Sequence, residues 1–168
     1  MKKMSRKCAI TIWLLAGVFC GACGRTGDAP KETSKIEASP GAESSWLTNF
    51  DTAQERARSE KKVLLIEFTG SDWCPPCIML ERQVFSQPEF KDYAAQHLVL
   101  LEVDFPRMKE LSREQRAANA QLAERYGIEG FPTIVLLDST GKEIGELGYM
   151  PGGPKPFIAA VEELRIQD

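Results

Sequence analysis

The chain has 168 residues, 43% of them hydrophobic and 27% charged, and a formal net charge of −3. That length suits one domain with a short appendage, and the apolar share supports a real core, which excludes wholesale disorder. No basic stripe runs through the part able to fold, so nucleic acid is not an expected partner.

Residues 1–22 stand apart. Lys2, Lys3, Arg6 and Lys7 form a basic start, the run from Cys8 to Cys20 is apolar, and the small residues Gly21 and Ala22 follow. The apolar run falls short of the roughly 20 residues a membrane span needs, and basic, apolar, small is the order of a secretory signal peptide. An uncleaved membrane anchor is the other reading. Cys20-Gly21-Ala22-Cys23 resembles the lipobox of bacterial lipoproteins, which implies lipidation of Cys23 and a membrane anchor. Cys20 stands where that pattern usually has Leu, and ordinary cleavage after Ala22 also fits. Removal of the segment leaves 17 basic against 24 acidic residues, a net charge of −7. Residues 23–45 carry Ile36 as their one bulky apolar side chain among Gly, Pro, Ser and mixed charges, the composition of a flexible tether.

The domain is expected over 46–168. Trp46, Leu47, Phe50, Ala53 and Ala57 recur at helical spacing, with Asp51 as a candidate cap for a helix over 52–60. Val63 to Phe68 is a nearly continuous apolar run of strand length, as in strands covered on both faces. A turn at Thr69–Asp72 precedes a helix from about Cys74 to Phe85, and Pro88 opens another to about Gln96. Leu98–Val103 reads as a second buried strand. Ser112-Arg113-Glu114-Gln115 is a capping box whose helix runs to Tyr126, with Gly127 placed to stop it. Thr133–Leu137 is a third strand, a turn at Asp138–Gly141 leads to an antiparallel fourth over 142–148, and Pro154 precedes a last helix. Strands separated by helices predict parallel crossovers, with the closing hairpin adding an antiparallel edge. The class is α/β, and Gly145, Gly148, Gly152 and Gly153 are expected in turns.

Chemistry concentrates at Cys74 and Cys77, the only cysteines of the domain. They open a helix directly after a strand, where unpaired N–H groups and the helix dipole stabilise a thiolate at Cys74. The i, i+3 spacing brings Cys77 to the same face, ready to resolve a mixed disulfide formed at Cys74. Pro75 and Pro76 sit where the missing N–H groups are not needed. Zinc would want further ligands, and His97 is the only histidine, so no metal is expected. Covalent haem would want histidine where Ile78 stands. A purely structural disulfide stays open.

Three segments carry a resemblance. Phe68–Cys77, FTGSDWCPPC, looks like the active-site segment of thioredoxins, and Tyr126–Thr133, YGIEGFPT, is similar to the segment before that family's third central strand. Val84-Phe85-Ser86-Gln87-Pro88 resembles the thioredoxin-like C-terminal domain of the bacterial transmembrane disulfide reductase and exported thioredoxin-like lipoproteins. The pentad Trp-Cys-Pro-Pro-Cys is similar to tryparedoxins. The resemblance implies a thioredoxin fold, with a central mixed sheet of four or five strands flanked by helices, and thiol–disulfide exchange without a cofactor. It implies that Cys74 is the exposed attacking thiol, Cys77 the buried resolving thiol, Trp73 a flank of the site and Pro132 a cis-proline facing the disulfide. Glu67 falls near the family's buried acid and would exchange a proton with Cys77. The acid is Glu rather than Asp here, the turn before Trp73 is one residue longer, and Leu100 stands near the place of the lysine that often accompanies the acid. The expected partners are disulfide-containing exported proteins and a membrane or soluble redox partner, on the periplasmic side of a membrane. Reduction is the expected direction, although sites of this type range from about −270 to −120 mV. The other functional reading is a non-catalytic binding or assembly module with a structural Cys74–Cys77 bridge.

Overall fold

A computed structural model describes residues 45–166; the expected signal segment 1–22, the lipidation candidate Cys23 and the tether up to residue 44 lie outside the described residues. Strand β1 (Val63–Thr69) is buried along its whole length because it lies inside the sheet, between β2 (Leu98–Asp104) and β3 (Thr133–Leu137). Strand β4 (Glu143–Leu147) completes four strands in the order β2-β1-β3-β4. β1 and β2 run parallel, Val63 opposite Leu98 through Thr69 opposite Asp104.

The alternation of side chains across β1 divides the core in two. Val63 and Leu65 face one side, with Leu80, Val84, Phe85, Phe90 and Phe157. Leu64, Ile66 and Phe68 face the other, against Ala53 and Ala57 of helix α1 (Phe50–Glu60) and Leu122 of helix α4 (Arg113–Arg125). Phe85, Phe90 and Phe157 meet with ring centroids 4.9–5.9 Å apart, which ties helix α2 (Pro75–Leu80) and the turns after it to α3 (Pro88–His97) and α5 (Pro154–Ile166).

Several local expectations change. Asn49, not Asp51, caps α1, its side chain accepting from Thr52 N at 2.8 Å, so the helix begins at Phe50. Leu47 is not helical; it pairs with Leu101 and covers part of the outer edge of β2. The helix expected to Phe85 changes form at Glu81, where Glu81–Phe85 make a π-helical turn closed by Ser86 N donating to Glu81 O at 2.8 Å. Ser112 caps α4 as expected, accepting from Gln115 N, but the Gln115 side chain bonds Thr48 O and Asn119 Oδ1 instead of completing the capping box. Gly145 lies inside β4 rather than in a turn; a Cβ there would stand 2.7 Å from the Leu164 side chain, so glycine lets α5 approach the strand.

The largest correction is topological. Only β1 and β2 are parallel; β3 runs antiparallel to β1 although a helix precedes it. A crossover makes a parallel pair only when it returns the chain to the end where the first strand began. Here residues 105–132, with α4 among them, bring the chain back to the end it left, and Thr133 starts opposite Phe68. Pro132 therefore arrives at the same end of the sheet as Cys74.

Candidate active site

Three segments meet at the C-terminal end of β1. The turn 70–74 leaves β1, the segment 105–109 leaves β2, and 130–133 enters β3. Phe105 N donates to Thr69 O at 2.8 Å, joining the first two. The Asp72 carboxylate accepts from the backbone N–H groups of Arg107, Met108 and Lys109 at 2.7–3.1 Å. These bonds, that of Arg107 foremost, hold its carboxyl below the usual range. Asp104 accepts from Ser71 N and Ser71 Oγ at 3.0 and 2.6 Å, and Lys109 Nζ donates to the same hydroxyl. The extra residue in the turn before Trp73 is accommodated by this fastening to the 105–109 segment.

Cys74 occupies the cap position of α2 with Pro75 and Pro76 behind it, and a disulfide joins it to Cys77 over a Cα–Cα distance of 5.3 Å. Cys74, expected to be exposed, is buried in this oxidised form: it is 4% exposed against 1% for Cys77.

Trp73 locks the flank. Its Nε1 donates to Phe105 O at 2.8 Å, its ring meets Phe131 edge-on at 6.0 Å, and the Arg107 guanidinium lies 3.7 Å over its face. Phe131 in turn stacks on Phe105 at 5.1 Å. Gly70 makes room for the indole, since a Cβ there would lie 2.6 Å from its Cε2. The Phe131–Pro132 bond is cis, and Thr133 Oγ1 steadies the loop by donating to Gly130 O at 3.0 Å.

Glu67 lies in β1, 4% exposed, on the face shared by Val63 and Leu65 that α2 and its π turn cover. Burial pushes its carboxyl up to about 8, helped by the carboxylates of Glu102, Glu81 and Asp104 and opposed by a hydrogen bond from Thr69. Leu100, at the place of the family's frequent lysine, is buried in the same apolar cluster. Glu102 is opposite Glu67 in the β1–β2 register, and burial together with Asp104 raises its carboxyl too. Among the described residues no group of three or more His, Cys, Asp or Glu is placed to hold a metal ion.

Gly70, Arg107, Phe131 and Glu102 were not among the sequence candidates. Glu102 had a visible signal: VLLIE and LVLLE each place a carboxylate fifth in a buried run, and the parallel register sets the two side by side.

The model of the thioredoxin-like domain family matches residues 50–164. The disulfide bond reductase DsbH of Chlamydia pneumoniae is 35% identical over 164 residues, which cover 96% of each chain. The thiol:disulfide interchange protein DsbD of Pectobacterium atrosepticum is 31% identical over 142 residues, 80% of this chain but 22% of that much longer one. A solved structure of a DsbH oxidoreductase superposes with a TM-score of 0.69 at 34% identity, covering 83% of this chain and 94% of the other. The chain belongs to the thioredoxin-like family.

Proposed function

We propose that this protein reduces disulfides in exported proteins through Cys74 and Cys77. The protein is a thiol–disulfide oxidoreductase; the direction, the substrates and the residue roles are our reading. One observation carries it: a Cys-Pro-Pro-Cys disulfide at the start of a helix, with a cis-proline at the same end of the sheet and a buried carboxyl on the covered face.

In this reading the Cys74 thiolate attacks a substrate disulfide, forming a mixed disulfide and releasing one substrate thiolate. The Cys77 thiol gives its proton to the Glu67 carboxylate as its sulfur attacks Cys74. The second substrate sulfur leaves as thiolate, both substrate thiolates take protons from water, and two electrons have passed to the substrate. Trp73 walls the site, and Pro132 presents backbone to the substrate chain. Electrons return from a membrane or soluble redox partner.

The basic, apolar, small order of residues 1–22 supports export to the periplasmic side, with Cys23 as the lipid attachment point, 23–45 as tether and 46–168 as the working domain. Cells fed a labelled fatty acid should label the wild type and not Cys23→Ser; equal labelling of both would remove the anchor from the account.

The function itself is tested by Cys77→Ala, which should accumulate mixed disulfides on Cys74 while the intact protein reduces insulin. Absence of both would leave the pair as a structural bridge in a binding module.

A further inference from the structure

A proton taken up by Glu67 has to leave again, and Glu67 is enclosed. Its neighbour in β2 is not. Glu102 stands opposite Glu67 in the parallel register, one strand spacing away at about 4.8 Å. It belongs to the same face, because Leu98 and Leu100 of β2 share the cluster of Val63 and Leu65. β2 is the outer strand of the sheet, and Glu102 is only partly buried. It lines a surface cavity of about 350 Å³ with Thr48, Asp104, Lys109 and Asn119.

We propose that Glu102 is the exit for the proton of Glu67, the two carboxyls sharing one proton and Glu102 passing it to water in this cavity. The inference rests on the reading of Glu67 as the proton acceptor of Cys77. Glu102 touches no reacting atom; it is a positioning residue that acts through Glu67. Adjacent carboxylates resist being ionised together, so a proton arriving on one favours the ionised form of the other. Cys77 loses a proton to Glu67, Glu67 loses it to the Glu102 carboxylate, and Glu102 loses it to water, so both carboxyls end as they began.

Of the other charged groups facing the pair, Glu81 and Asp104 have partners of their own. Glu81, from the π turn, accepts from the Ser86 hydroxyl at 2.7 Å. Asp104, from β2, is held by Ser71, whose hydroxyl also accepts from Lys109. Glu110 lines the same cavity. Glu67 and Glu102 are the two that lie side by side on the covered face.

The test is single-turnover oxidation of the reduced full-length protein by a small disulfide, followed by tryptophan fluorescence from pH 6 to 9. Glu102→Gln should slow the step roughly tenfold at neutral pH and move the midpoint of its pH profile downward, because a like charge is gone. Glu102→Asp should restore most of the rate, and added formate should rescue Glu102→Gln through the cavity while leaving the enclosed Glu67→Gln slow. A Glu102→Gln variant with wild-type rate and midpoint would overturn the inference while Glu67→Gln stays slow. Equal slowing in Glu102→Gln and Glu102→Asp without formate rescue would overturn it as well, leaving Glu102 a structural part. A Glu67→Gln variant indistinguishable from wild type would instead overturn the reading beneath it.

Discussion

The first four residues of β1 and its last three are equally buried and chemically opposed. Val63–Ile66 put apolar side chains on both faces and meet Leu98–Leu101, Leu136 and Leu137. Glu67–Thr69 put a carboxyl and a hydroxyl into the same interior, beside Glu102 and Asp104. A fold selected only for stability has no use for a carboxyl at 4% exposure, since burying the charged form is costly. The first half of the strand secures the domain, and the second half carries the buried polar groups on which the proposed proton transfer rests.

That contrast can be broken from either end. The largest effect belongs to Cys74→Ser, which should bring disulfide reduction to background in an insulin assay. The lost bridge closes a very short loop, so denaturant unfolding should show a loss of about 2 kcal/mol or less.

Glu67→Gln comes next. Its carboxyl titrates near 8 in the folded protein and near 4.5 when unfolded. Between those values the native state holds a proton that the unfolded chain has released, so stability falls as pH rises from about 4.5 to about 8 and is level above. Urea unfolding should show Glu67→Gln gaining on the order of several kcal/mol over wild type at pH 8.5 and nothing at pH 4. Parallel pH dependence in the two proteins would contradict the assignment.

Leu65→Ala, on the same face two residues earlier, should cost about 2–5 kcal/mol at every pH. The folded fraction should keep the wild-type pH profile of exchange. A shifted profile would show that the two halves of β1 are not separable. Gly70→Ala should have the smallest effect, about 1–3 kcal/mol from displacing the Trp73 ring, visible as a change in tryptophan emission.

The elements facing the core were legible because a strand covered on both sides reads as an apolar run whatever its neighbours; Val63–Phe68 and Leu98–Val103 needed no other information. Cys74, Cys77 and Pro132 were legible as motifs. What failed was long-range. The direction of β3 depends on how residues 105–132 route the chain, and local periodicity does not encode that. The π turn at Glu81–Phe85 keeps helical spacing in the sequence and differs in its backbone bonding, as where Ser86 N donates to Glu81 O. Glu102 sits in plain view inside its run, but it acquires meaning only once the register pairs it with Glu67. Arg107 and Phe131 matter because Trp73 lies between them, a placement set by the Asp72 and Asp104 fastenings.

The central claim is that the Cys74–Cys77 pair is a working reductant. Equilibration of the purified protein with glutathione or dithiothreitol buffers measures its reduction potential directly. The account predicts a value between about −270 and −200 mV, the range of reducing members of this fold. A value near −120 mV would make the protein an oxidant, and one well below −300 mV would make the bridge structural.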